Sequence, residues 1–236
     1  MEPVREVTVN ELQYQGRKAS RAKSEQRRRL ILEATMRIIV RDGVRGVRHR
    51  AIASEAGVPL AATTYYFKDI RELIADAFTL YTEWALAYVS RFTEEFESIL
   101  PQLHQMDLSV AGEQERAVQF LADELSRYCE GKLATDLTML ISEQAFRYEA
   151  CIDERVKQLA QMHREALFDI VSQFLTALGS DAAAEDTDIV MVLLQSLEYQ
   201  MLLDGDNAEG VVRIQRVLVR FVRLLMPRLK PSNTVL

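Results

Sequence analysis

Apolar residues return at helical spacing through most of this chain, and no stretch alternates apolar and polar positions as a half-buried strand would. The pattern predicts a first helix near 24–41, where Leu30, Ile31, Ala34, Ile38 and Ile39 share a face. A long helix is expected over about 70–99, with Leu73, Ala77, Leu80, Trp84, Ala87, Val89 and Phe92 on a broad apolar face and Pro101 at its end. Residues 102–113 read as a loop, and helices near 114–130 and 133–149 follow, separated by Gly131. Asp153 is placed to cap a helix that reaches Leu178 and stops at Gly179, and the last two helices fall near 186–204 and 207–226, before Pro227.

Between the first helix and the long one, residues 49–67 read as two short helices joined by a tight turn. Ile52, Ala53 and Ala56 give the first of them its apolar face, and Gly57 supplies a permissive turn residue. Pro59 suits the first helical position, because its missing N–H would go unpaired there. Phe67 closes the segment as a core anchor. Thr63, Thr64, Tyr65 and Tyr66 are left as short or rigid polar tips able to reach base edges and phosphates.

With these residues in place, the chain from about Gln26 to Phe78 resembles the TetR family of bacterial transcriptional regulators. Arg28-Arg29-Leu30-Ile31-Leu32-Glu33-Ala34 is similar to that family's first helix and Asp42-Gly43 to its turn. Ile52-Ala53 with Ala56-Gly57-Val58 resembles the second helix, Tyr65-Tyr66-Phe67 the end of the recognition helix, and Arg71-Glu72-Leu73-Ile74 the start of the long connecting helix. The resemblance implies DNA contacts from Arg48, His49, Leu60, Ala62, Thr63, Thr64, Tyr65, Tyr66 and Lys68. Three departures fall at or beside such positions. Arg48 stands where a Ser or Thr usually caps the second helix, and Ile70 stands where a Lys commonly follows the recognition helix, while Thr64 replaces a frequent Tyr.

Charge sharpens this picture. The 236 residues carry a net charge of −6, yet residues 1–68 hold 14 Lys and Arg against 7 Asp and Glu, and the remainder holds 15 against 28, so a +7 head is joined to a −13 body. A basic head attracts phosphate by counterion release, and an acidic body discourages wrapping at the wrong end. Arg17, Lys18, Arg21, Lys23, Arg27, Arg28 and Arg29 concentrate cations before and at the start of the first helix. Residues 1–23 therefore read either as a solvated tail or as an arm that follows phosphates or the minor groove.

The chain is 48% hydrophobic, enough for a sizeable core, and carries neither an apolar run of membrane-spanning length nor a signal-peptide pattern, so a soluble, cytoplasmic protein is expected. Cys129 and Cys151 have no metal-ligand spacing and read as free thiols. Neither a metal nor a cofactor is expected. His49, His104 and His163 lack the spacing of a helical zinc site, and there is no Gly-rich phosphate loop or Gly-x-Ser-x-Gly motif, which argues against an enzyme.

The body offers two further features. Ile189-Val190-Met191-Val192-Leu193-Leu194 is apolar nearly all round, a pattern that requires burial from several sides. Phe168, Val171, Phe174, Leu175, Ile189, Leu193 and Leu197 are the expected homodimer surface, since the family resemblance implies a four-helix interface between subunits. Glu198 interrupts that apolar helix and is a candidate for a contact across the dimer. Trp84, Tyr88, Phe120, Met139, Glu143, Phe146, Arg147 and His163 are candidates to hold a small-molecule effector, partly apolar and of unknown identity, although such stripes serve equally as core.

The sequence thus reads as an all-α protein: an arm over 1–23, a three-helix helix-turn-helix DNA-binding domain over 24–69, and a helical effector-binding and dimerisation domain over 70–236. The expected function is a dimeric TetR-type repressor that binds a palindromic double-stranded DNA operator and is released by its effector. A DNA-associated structural protein without an effector is the alternative, and a helical enzyme the remote one.

Overall fold

The computed structural model describes residues 14–17, 22–97, 100–135, 137–204 and 208–226. Most of the expected arm (residues 1–13 and 18–21) and Pro227 lie outside the described residues. All regular structure within them is helical, as the periodicity requires. The chain divides into two compact units, residues 1–86 with 141–164 and residues 87–140 with 165–236.

In the first unit, α1 (Ala22–Asp42), a single 3-10 turn (Val44–Gly46), α2 (His49–Ala56) and α3 (Leu60–Tyr66) lead into α4 (Ile70–Glu97). Ile31, Leu32, Met36, Ile38 and Ile39 of α1 are almost fully buried, as are Ile52 and the anchor Phe67. Gly43 ends α1 at φ 72° and Gly57 ends α2 at φ 64°, both in the region that costs a side-chain-bearing residue strain. Asp69 caps α4, its Oδ1 accepting the Glu72 amide at 2.8 Å. The unit is larger than the expected 24–69, because Leu73, Ala77 and Phe78 of α4 are buried without exposed area and Phe146 of α7 (Leu137–Glu149) packs its ring on Phe78 and Tyr81.

The second unit is built on α5 (Leu100–His104), α6 (Ala111–Thr135), α9 (Ala183–Asp204) and α10 (Ala208–Leu225), with the end of α8 (Glu154–Ala177). Ala117, Val118, Leu121 and Ala122 of α6 share a core with Val190, Leu197 and Met201 of α9 and Ile214, Leu218 and Val222 of α10. Asp153 caps α8 as expected, accepting the Arg155 amide at 2.9 Å, and Gly179 follows its end at φ 81°.

Three boundaries differ from the sequence reading. Pro101 does not terminate α4 directly but lies in the first turn of the short α5, which runs into the stretch expected to be a loop. Pro59 is the residue before α3 rather than its first helical residue. Gly131 does not separate two helices. It lies within α6, where a Cβ would stand 2.6 Å from the Tyr88 hydroxyl oxygen. That close approach favours glycine at a mid-helix position costing roughly 1 kcal/mol relative to alanine.

Candidate nucleic-acid interface

The turn between α2 and α3 is set by backbone chemistry. Gly57 in the left-handed region lets its amide reach the carbonyls of Ala53 and Ser54, and the Val58 amide donates to the Ala53 carbonyl at 3.0 Å. The chain then enters α3 without a side-chain cap, and α2 also begins uncapped: Arg48 is extended and exposed, and its side chain makes no capping bond. Ile70, in place of the customary Lys, is half-buried at the start of α4.

Only part of the expected hydroxyl face is outward. Tyr65 is 53% exposed, and Thr64, Leu60 and Lys68 are exposed as well. Thr63 and Tyr66 are buried, which corrects their reading as polar tips free to reach DNA. The Thr63 hydroxyl donates to the Leu60 carbonyl at 2.8 Å and lies 3.2 Å from Nδ1 of half-buried His49, tying α3 to α2. The Tyr66 hydroxyl shares a hydrogen bond with the Ser24 hydroxyl of α1. A seven-residue helix has two turns, so one side must face the core to hold the other in place. Ala62 is half-buried on α3.

Cations divide in the same way. Arg45, Arg48, Arg50 and Lys68 are exposed, with Arg17. Arg37 and Arg41 are exposed but engaged, donating to Glu55 of α2 at 2.8 and 3.0 Å, which lowers the Glu55 pKa. Arg28, counted among the arm-proximal cations, is buried. It donates to Glu25, and its Nη1 lies 3.5 Å from Oδ2 of Asp76, a fully buried carboxylate on α4. Burial raises the Asp76 pKa, while the amides of Gln15 and Gly16 and the Arg28 guanidinium pull it the other way.

Sequence reasoning missed Tyr14, Gly16, Asp76, Arg45 and Arg50. An isolated glycine in a polar arm and an aspartate inside the apolar run Leu73 to Phe78 were the available signals.

The candidate effector residues fall in both units. In the first, the Tyr81 hydroxyl donates to Glu143 at 3.2 Å, the Tyr81 ring meets the His163 ring edge-on, Trp84 is half-buried and Arg147 is exposed. In the second, Tyr88 and Phe92 pack against Tyr128, while Phe120 and Met139 are half-buried.

Of the expected dimer surface, Leu175 and Leu197 are 3% and 2% exposed and belong to the subunit's own core, and Phe168, Val171, Phe174 and Leu193 are half-buried. Ile189, also expected there, is exposed, and Val192, Tyr199 and Leu203 are the other large exposed apolar residues of α9. Glu198 is also internal, paired with Lys132 of α6.

Residues 31–77 match the family model described as bacterial regulatory proteins, tetR family. The HTH-type transcriptional regulator PksA of Bacillus subtilis is 46% identical over 59 residues, which span 25% of this chain and 29% of that protein. Among solved structures, a transcriptional regulator from Rhodococcus sp. Rha1 superposes with a TM-score of 0.62 at 14% identity over 85% of this chain and 96% of that one. The multidrug binding protein EbrR, complexed with proflavin, matches with a TM-score of 0.52 at 22% identity over 83% and 99% of the respective chains. The structural likenesses extend the shared helical fold beyond the N-terminal match.

Proposed function

We propose that this chain is a DNA-binding transcriptional regulator of the TetR family of bacterial regulatory proteins. The observation that carries the reading is the α2-Gly57-α3 turn, which holds one side of α3 in the core through Thr63 and Tyr66 and leaves Tyr65, Thr64, Leu60 and Lys68 outward beside a basic rim. Tyr65 and Thr64 supply groups for base edges, and Arg48, Arg50 and Lys68 supply cations for phosphates.

The finer reading is a repressor that binds a palindromic operator as a homodimer. The apolar stripe Ile189, Val192, Tyr199 and Leu203 on α9 supports association, since its residues recur on one helical face and are open to solvent in the single chain. Two recognition helices about 34–36 Å apart would enter successive major grooves, and an effector that favours another spacing would lower DNA affinity through its preference for that state. The ligand in the EbrR complex supports an effector-responsive body without identifying this chain's effector.

Selection from a random duplex library followed by footprinting tests the reading. A twofold site protected by the wild type and lost on Tyr65→Ala is the expected result. Affinity should fall by about 10³ to 10⁵ between roughly 50 and 200 mM salt if a dimer contacts about six to ten phosphates. Binding that ignores salt, or protection that does not depend on α3, would overturn it.

A further inference from the structure

The short described piece of the arm does not stand free. The amides of Gln15 and Gly16 donate to Oδ1 and Oδ2 of Asp76 at 2.6 and 2.9 Å, so both oxygens of a fully buried carboxylate receive backbone from a segment about sixty residues away. The next amide, that of Arg17, donates to the Tyr66 carbonyl at the end of α3 at 2.8 Å. Tyr14 lies under Arg28, with the guanidinium carbon 4.1 Å from the ring centroid. Gly16 passes so close to the domain that a Cβ would meet the Phe67 ring at 2.7 Å and Asp76 Oδ2 at 2.9 Å. A solvated tail needs none of this complementarity.

Docking has a consequence at the exposed face of α3. With its amide tied to the end of that helix, Arg17 places its guanidinium carbon 4.3 Å over the centroid of the Tyr65 ring and remains exposed. A guanidinium stacked by its face keeps its N–H edges available, and those edges match two oxygens of one phosphate.

We propose that residues 14–17 form a strap, that Asp76 and Gly16 are its positioning residues, and that the strap delivers Arg17 as a backbone-phosphate contact beside Tyr65. The inference rests on the DNA-binding reading and adds to it a contact from outside the helix-turn-helix motif. Because Asp76 lies on α4, the same carboxylate ties the long helix to the arm and, through Arg17, to the reading face.

The test uses the full chain and an operator selected by the wild type. Arg17→Ala should lower affinity about five- to tenfold and reduce the salt slope by about 0.9 for each phosphate that is no longer neutralised. Gly16→Ala should produce the same two changes while keeping every cation, because the added Cβ displaces the strap. In the Arg17→Ala background, Gly16→Ala should change affinity no further. Amide exchange should show Gln15 and Gly16 protected in the wild type and open in Gly16→Ala, with the helical circular dichroism of the domain retained. Unchanged affinity in either single variant, additive effects in the double variant, or unprotected wild-type amides would overturn the strap. A wild type that binds no duplex of any sequence would overturn the functional reading, and Arg17's role with it, whereas a normal operator complex indifferent to Gly16→Ala would overturn the strap alone.

Discussion

The hydroxyl of Tyr66 lies 2.7 Å from the hydroxyl of Ser24, so one of the two adjacent tyrosines at the end of α3 belongs to the packing of α1 against α3 rather than to the surface. Its neighbour Tyr65 is exposed and stands edge-on to it, the ring centroids 5.1 Å apart.

The two should therefore respond differently to loss of the hydroxyl. Tyr66→Phe removes one partner of a partly buried hydrogen bond and should lower unfolding free energy by about 1 kcal/mol. Tyr65→Phe should leave stability within about 0.5 kcal/mol and weaken operator binding by about 1 kcal/mol or more if its hydroxyl touches DNA. Thermal unfolding beside binding titrations separates the two. The reverse assignment of effects would contradict the orientation of α3.

The α9 stripe gives a second expectation. Val192 is 67% exposed in the single chain, so Val192→Glu places a charge in water if the subunit is alone and in an apolar contact if two subunits meet there. The variant should retain its helical circular dichroism and sediment as a monomer, and the wild type is expected to sediment as a dimer at the same concentration. Equal sedimentation of the two proteins would move the association surface away from Val192.

Lys132 and Glu198 present a different problem, because the ions are 2.9 Å apart with side chains only 10% and 4% exposed. Removing one partner leaves a buried charge, and Glu198→Leu should cost about 3–5 kcal/mol. Lys132→Met added to that background should recover most of the loss, since apolar groups of similar volume need no compensation. Denaturant titration of the single and double variants checks both statements.

The cysteines should differ in reactivity. Cys129 is buried without exposed area, and burial pushes its thiol pKa up, whereas Cys151 is exposed just after α7. Iodoacetamide at neutral pH should label Cys151 in the native protein and reach Cys129 only on unfolding, as peptide mass spectrometry would show. Native labelling of Cys129 would mean that α6 opens locally.

The long helices, the α2-turn-α3 motif and the basic head were legible in the sequence because they rest on local rules, whereas the short α5 was read as a loop. Apolar spacing of three to four residues, Gly57 at the turn, Asp153 as a cap and the accumulation of arginines each act within a few positions along the chain. The side of α3 on which each hydroxyl lies was not legible. Thr63, Thr64, Tyr65 and Tyr66 are consecutive, and only α1, through Ser24, and α2, through His49, decide which two turn inward.

Burial of ions depended on tertiary structure for the same reason. Arg28 looked like one more cation of a basic run until Asp76 was brought against it from α4, and Glu198 looked like a contact for another subunit until Lys132 of α6 met it. Gly131 looked like a break because glycine is a poor helix former, and only the Tyr88 hydroxyl from a different helix explains why α6 runs through it. The sequence by itself determined what each segment prefers over a few turns. Which polar groups remain for water or a partner was decided by long-range packing, since a charge or hydroxyl is buried only where residues distant in sequence supply its hydrogen bonds.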